Sequence, residues 1–480
     1  MPEKNSLFQY LYSSLKKQIL VGRYCYGESL PSASRLCELY NVGIRTARDV
    51  LRALKMDGLI RTEERRCAVV IYQENNTLQN QRMIQSVLER RHAISDVYMT
   101  MSVLMPPLFW FCAKHGRLEV PNEMELKIKR VKWISPKECW RLPSTVLNWL
   151  LTQSGNPLFH DLYSCLELFC QVPEIEGCRH PFEAARDMSF LWMMEPMRGH
   201  DIREAQRRFR FMYLTVGDAT ANYLDQLHRQ FPWIEERRDA AFRWDAAKGK
   251  IYFYAQIARE LVERLYHEEW RDGEYLPPIQ ELAGQYGVSR STMRQALDLM
   301  EGRGFIRIRN GCGTQVTLSS AIRDIQHFSD PTQKRDTLMY LYALHFMVVA
   351  LRPAALAAFD HLGEEQWRQM EQSLLQGGDC ALRVFSQCLF QALPYDALRV
   401  AFLEINKLLS WGQHFKFSPH AKQGLHLIEN NCHKALRCLK NDDSEGYADH
   451  LIACYRWTYD GILRLLKAAG AVEAEKLISP

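Results

Sequence analysis

No two of the fourteen cysteines in this 480-residue chain stand at Cys-x-x-Cys spacing. Cys165, Cys170 and Cys178 lie close together, but no ordered histidine accompanies them at zinc-finger spacing. The thiols therefore read as reduced and buried, with no metal site. Long apolar runs are also missing. The two longest, Val103–Cys112 and Leu338–Leu351, are interrupted by Pro107 and His345 and read as buried helices too short to span a bilayer. The opening stretch MPEKNSLFQYLYSSLKK lacks an apolar core with a small-residue cleavage site. It is read as carrying no secretion signal, which implies a cytoplasmic chain with no membrane partner. A phosphate-cradling Gly-rich loop, G-x-S-x-G, H-E-x-x-H and a lysine in a cofactor-type context are all absent. These absences argue against an enzyme, and no cofactor is called for. Excess charge is small: 61 Lys and Arg against 56 Asp and Glu give a net +5, too mild to identify a nucleic-acid partner by itself.

What the chain does have is a copy of itself. Slid by 246 positions, Gly27 and Glu28 meet Gly273 and Glu274, and Leu30 and Pro31 meet Leu276 and Pro277. Leu36, Tyr40 and Val42 meet Leu282, Tyr286 and Val288; Thr46 and Arg48 meet Thr292 and Arg294. Leu51, Gly58, Ile60 and Arg61 meet Leu297, Gly304, Ile306 and Arg307, and farther on Pro107 meets Pro353. One ungapped offset over residues of these types marks a tandem duplication. The expected domains are 1–76, 77–240, 241–320 and 321–480, with the polar stretch Glu236–Lys250 as the linker between copies.

In copy two, apolar residues at helical spacing (Ile257, Leu261, Val262, Leu265) predict a helix over Ile251–Tyr266, broken by Gly273 and Pro277-Pro278. A short helix follows over Ile279–Tyr286. After Gly287, Ser289 is placed to cap a second helix running to about Glu301. Two short helices across a tight turn form a helix-turn-helix pattern, in which the N-terminal residues of the second helix reach base edges in the major groove. Ser289, Arg290, Ser291, Thr292 and Arg294 stand there. An arginine fork suits guanine and phosphate, and hydroxyls suit phosphate. Phe305–Arg309 alternates as a strand, Asn310-Gly311 signals a hairpin turn, and Thr314–Leu318 returns. This hairpin reads as a wing, with Arg307, Arg309, Gly311 and Gly313 toward the nucleic acid. Copy one repeats the course with helices at Tyr10–Leu20, Ser34–Tyr40 and Ile44–Met56 and a hairpin at Leu59–Ile71. Its second helix carries Arg45, Thr46, Arg48 and Arg52. The three arginines recur at i, i+3 and i+7 and share one face, which reads either as a solvated surface or as a DNA contact. Arg65 and Arg66 stand on its hairpin.

From these residues the chain resembles the GntR family of bacterial regulators. The carrying stretches are LPPIQELAGQYGVSRSTMRQALDLMEGRGFIRIRNGCGTQV at Leu276–Val316 and the weaker LPSASRLCELYNVGIRTARDVLRALKMDGLIRTEERRCAVV at Leu30–Val70. The resemblance implies double-stranded DNA as partner. Copy two departs from the family pattern at Gln280, where an Arg is usual. Copy one departs at Ser34, at Ile44 (with Arg45 displaced by one position), and at Arg65 and Cys67 in place of the wing glycines. Copy one is thus expected to read a different sequence, to hold mainly phosphate, or to bind weakly.

Residues 77–240 and 321–480 show helical spacing, as over Val97–Trp110, Leu338–Leu356 and Leu398–Trp411. The expected fold class is mainly α, with two winged helix-turn-helix domains, each carrying a small β-hairpin wing, alternating with two all-α helical bundles. Gly155-Asn156-Pro157-Leu158 resembles a turn in the helical bundle of the fatty-acid-responsive branch of the family, as do Met197–Ala205 and Leu439–Ala448. That resemblance implies a small-molecule effector of unassigned identity and self-association, although Met and Phe residues in the interior are equally accounted for as core. Where the branch places metal ligands this chain has Leu147 and Pro143, and where it places a carboxylate-gripping Arg it has Met101 and Met347, so no metal is expected. The combined expectation is a repressor acting as a covalent pseudo-dimer on unlike half-sites. The alternative is a winged-helix scaffold that docks proteins.

Overall fold

The computed structural model describes residues 7–20, 24, 26–40, 42–63, 66–72, 77–115, 136–175, 178–185, 188, 190–247, 253–266, 269–309, 311–318, 331–376, 380–417 and 419–480. Their packing divides the chain into two compact units. Unit one comprises 1–154, 159–250 and 395–401; unit two comprises 155–158, 251–394 and 402–480.

Unit one opens with a small head. Helix α1 (Leu7–Leu20) buries Leu11, Leu15 and Ile19, one residue per turn, as an amphipathic helix must. They pack on Ala47, Val50 and Leu54 of α3 (Ile44–Met56), with α2 (Ala33–Tyr40) contributing Leu36. Strands β1 (Ile60–Arg61) and β2 (Val69–Val70) pair antiparallel, Ile60 opposite Val70. A bridge from Ser29 to Val69 adds a third short edge.

Unit two holds the same head. Helix α10 (Phe253–Tyr266) buries Ile257, Leu261 and Leu265 against Met293, Leu297 and Met300 of α12 (Arg290–Gly302), with α11 (Ile279–Gln285) alongside. Strands β3 (Ile306–Arg309) and β4 (Gly313–Val316) pair with Ile306 opposite Val316, and Tyr275 bridges to Gln315. The offset of 246 survives at the level of single hydrogen bonds. Gly27 N–H donates to Val70 O, and Gly273 N–H to Val316 O, each at 2.9 Å.

The remaining described elements are helical. In unit one these are α4 (Thr77–Leu88), α5 (Arg91–His115), α6 (Pro136–Thr152), α7 (Pro157–Phe169), α8 (Phe190–Arg198) and α9 (Ile202–Gln230). Phe109 on α5 lies fully buried between Tyr163 and Phe209, 5.5 and 5.1 Å between ring centroids. In unit two they are α13 (Pro331–Ala358), α14 (Glu364–Gln376), α15 (Cys380–Gln391), α16 (Asp396–Leu409, whose first residues to Ala401 are counted in unit one), α17 (Pro419–Lys440), α18 (Ser444–Ala468) and α19 (Val472–Glu475). The turns read at Met197–Ala205 and Leu439–Ala448 are both present. His200 and Asp442 take φ of 57° and 58°, and Asp201 and Asp443 then cap α9 and α18 by accepting from the N–H of Glu204 and Gly446.

Two expectations need correcting. The run Leu338–Leu351 is not a short helix. It lies within the 28-residue α13, long and apolar enough by length and composition to cross a membrane, yet 67% of its apolar window is buried within the protein. Leu341, Phe346, Met347 and Ala350 have no exposure, which makes α13 a core helix. The second correction concerns Glu236–Lys250, read as a linker. Phe242, Trp244, Ala246 and Ala247 are buried in unit one. Phe242 meets Phe169 edge-on at 5.5 Å, and Trp244 donates from Nε1 to Asp161 at 2.9 Å. Tyr10 of α1 donates to the other oxygen of Asp161 at 3.3 Å, so this strap, α7 and the head meet at one carboxylate.

Within the units, two short stretches have crossed over from the other repeat. Asp96 accepts from the N–H of Asp396 and Ala397 at 2.8 and 2.7 Å, capping α16 inside unit one. Asn156 donates to Tyr342 O at 2.9 Å inside unit two. Gly155, at φ 72°, presses so closely on the backbone there that an added Cβ would stand 2.3 Å from Lys476 O.

Candidate nucleic-acid interface

Head two presents its second helix with a built N-terminus. Ser289 caps α12 by accepting from Thr292 N–H at 3.2 Å, and its hydroxyl also contacts those of Ser291 and Thr292 at 2.8 and 2.9 Å. Met293, Ala296, Leu297 and Met300 anchor the opposite face, which leaves Arg290, Ser291 and Arg294 exposed together with Gln295. Arg290 donates to the side chain of Gln280, so the residue that departs from the family pattern orients the arginine next to it. Gln295 is not among the residues that the sequence singles out. Gln295 sits one turn after Ser291, and a Gln on that face matches the donor and acceptor pair of adenine. Its position was the available signal.

The wing of head two is tied to α12, because Glu301 accepts from Ile308 N–H at 2.6 Å. Arg307 and Arg309 are exposed and have no ion-pair partner among the described residues. At the tip Gly311 and Gly313 take φ of 80° and 103°, and an added Cβ on Gly313 would stand 3.3 Å from the Tyr275 ring. The turn residue Asn310 lies outside the described residues.

Head one has the same frame and different chemistry. Its α3 begins at Gly43, which offers no side-chain cap. Arg45, Arg48 and Arg52 are exposed on one side and Thr46 is half-buried. Arg52 pairs at 3.1 Å with Asp49, the residue standing where head two has Gln295. On the hairpin Glu63 stands where head two has Arg309. It pairs with Arg61 at 3.2 Å and Arg66 at 3.0 Å, so Arg66 points at an acid as well as at solvent. Arg65 lies outside the described residues. Such exposed pairs are worth at most about 1 kcal/mol, but they halve the cationic character of this wing. Among the described residues no group of three His, Cys, Asp or Glu side chains is placed to hold a metal.

Burial at the heads shifts some pKa values. The Lys17 ammonium of α1 is drawn down to about 8, first by burial and then by neighbouring Arg90. Arg259 of α10 is drawn down to about 10, also by burial first.

The capped second helix offers a simple test. Ser289→Ala removes a cap worth about 1 kcal/mol and frees the Ser291 and Thr292 hydroxyls. A lower denaturation midpoint for unit two is expected in a urea titration. An unchanged midpoint would show that the cap contributes nothing.

Three helices closed by a two-stranded hairpin make each head a winged helix-turn-helix domain. Residues 7–70 and 253–316 both match the family described as bacterial regulatory proteins, gntR family. The probable transcriptional regulator PhnF of Escherichia coli (strain K12) is 37% identical over 65 residues, 14% of this chain and 27% of that protein. The HTH-type transcriptional regulator TreR of Bacillus subtilis (strain 168) is 33% identical over 67 residues, 14% of this chain and 28% of that protein. The chain thus spans about a quarter of the length of these curated relatives. A solved structure titled Streptococcus agalactiae GntR aligns over 43% of this chain and 99% of its own, at 14% identity and a TM-score of 0.21.

Proposed function

We propose that this chain is a cytoplasmic transcription regulator that binds double-stranded DNA through both heads, one chain covering two unlike half-sites. The observation that carries the reading is the face of α12, where Arg290, Ser291 and Arg294 stand exposed behind a Ser289 cap on a rigid apolar base. Exposed forks and hydroxyls at the start of such a helix are the groups that read base edges and hold phosphate.

The pseudo-dimer reading is supported by the composition of the units, each of which takes in a stretch of the other repeat. Covalent linkage replaces bimolecular pairing with an effective concentration commonly in the millimolar range. Repression, the ordinary consequence of occupying a promoter, is part of the proposal. So are the four-domain division of the chain and effector control through the helical parts. The effector reading draws support from a polar chain inside the unit-one helices. Ser144 and Tyr163 both donate to Glu167, at 2.6 and 3.0 Å, and the fully buried Thr100 hydroxyl has no partner among the described residues. A protein-docking role for head one is favoured by its uncapped α3, its exposed Ile44 and Met56, and its acid-paired wing.

Selection from a randomised DNA library with the purified chain, at stated salt, tests the proposal. A motif with two unlike half-sites about one helical turn apart is the expected result. Symmetric half-sites that both depend on head two alone would refute the pseudo-dimer, and the absence of any motif would leave protein docking as the better reading.

A further inference from the structure

Behind the copy-two head, away from any residue read as a DNA contact, three guanidinium groups close on one carboxylate. Asp336, on α13, has no exposure. One of its oxygens accepts from Arg303 at 3.1 Å and from Arg259 at 3.4 Å; the other accepts from Arg335 at 2.9 Å. Arg259 and Arg303 are themselves 6% and 7% exposed, and Arg259 lies 4.1 Å above the ring of buried Trp411. Arg259 comes from the first helix of the head, and Arg303 is the C-cap of α12 itself. Asp336 and Trp411 lie outside the matched head, in the helical part of unit two. The reading helix is therefore pinned at its C-terminus to the helical part by buried ions.

The corresponding residues of copy one, 246 positions earlier, are Ser13, Asp57 and Arg90. The signs at two of the three positions are reversed, yet no such lock forms among the described residues. Asp57 is exposed and bonds to Lys16 and Tyr12, while Arg90 stacks 4.7 Å above Phe169. The Asp161 hydrogen bonds take its place in unit one.

We propose that Asp336 is a positioning residue for DNA reading: it fixes the angle of the copy-two head on its helical part and so makes binding depend on the spacing between half-sites. Tilting the head would leave an ionised carboxylate and two guanidinium groups unpaired in a low-dielectric site, whereas an apolar joint of the same volume has no preferred direction. This rests on the DNA-binding reading above, and its experiment separates the two.

The full chain is compared with Asp336→Asn and with a triple variant, Arg259→Met, Arg303→Met and Asp336→Leu. Apolar replacement of a buried ion cluster commonly keeps or raises stability, so the triple variant is the one expected to fold as the parent does. Affinity is measured for the selected operator, for the copy-two half-site alone, and for operators with the spacer changed by one or two base pairs. Two base pairs turn one half-site by about 70°, so the parent chain is expected to lose about tenfold or more. The triple variant is expected to lose less than about threefold while holding the lone half-site within about twofold of the parent. Asp336→Asn should flatten the spacing response in the same way, with a lower melting temperature. A triple variant that melts like the parent and keeps the parent's spacing response overturns the proposal, as does a parent chain indifferent to spacing. A parent chain with no specific binding at all defeats the DNA-binding reading, and the proposal falls with it.

Discussion

Reversing both charges with Arg290→Glu and Arg294→Glu is expected to lower affinity for the selected operator by about 10²–10⁴-fold. An arginine that reaches a base edge is worth about 1–3 kcal/mol, so two together contribute about 2–6 kcal/mol, and each 1.4 kcal/mol or so is a factor of ten. Glutamates in their place add repulsion from phosphate. Both side chains are exposed and neither is part of the α12 core, so the melting temperature should stay within the change of about 0.5 kcal/mol usual for surface sites. Loss of affinity without loss of fold separates reading from support. The slope of log affinity against log salt should also become shallower, by about 1 for each of the two cations that holds phosphate as well as a base. Fluorescence anisotropy over a salt series reads both quantities. The same reversal at Arg45 and Arg48 gives a comparable loss if head one reads bases, and a much smaller one if its Glu63-paired wing marks a weaker contact. Operator binding retained within about threefold after the Arg290 and Arg294 change would remove α12 from the interface.

The heads were legible because their signals are local. Ser289 before Arg290, glycines at 27, 58, 273 and 304 with positive φ, and alternation along Ile306–Arg309 each specify structure within a few residues. The repeat then transferred every assignment from the clear copy to the less regular one. The helical parts were legible as helices, yet not in their extent, because Pro107 and His345 read as interruptions while the structure carries both inside long helices. What escaped reading has a common cause. Asp336 meets Arg259 across 77 positions, Asp161 meets Trp244 across 83 and Tyr10 across 151. Periodicity has no term for such pairs, and a charged residue in a helical pattern looks solvated until its partners are known. Arg303 was passed over for the same reason: between Gly302 and Gly304 it reads as part of a turn, and only the buried carboxylate behind it shows otherwise.

The strap between the repeats did leave a signal. In Ala241–Asp245 burial alternates, with Phe242 and Trp244 inward and Arg243 outward, the period of an extended chain lying on a surface. Two large aromatics at i and i+2 are poor company for a free tether. Trp244→Ala is therefore expected to destabilise unit one by about 3–5 kcal/mol, the usual result of emptying a buried aromatic site, whereas a true linker residue would change stability by under about 0.5 kcal/mol. The indole N–H donates to Asp161, so removing it also takes a donor from a buried carboxylate that Tyr10 of the head shares. For a unit of this size each kcal/mol moves the melting temperature by roughly 2–4 °C, which puts the expected fall near 6–20 °C in scanning calorimetry. Arg243→Ala, one residue away and pointing outward, serves as the control and should hardly shift it. If both variants melt with the parent, the strap is a tether after all, and the effective concentration of the two heads is set by a longer free segment than the buried Phe242 and Trp244 imply. If only Trp244→Ala falls, Phe242 and Trp244 belong to the packed interior of unit one and not to a free tether.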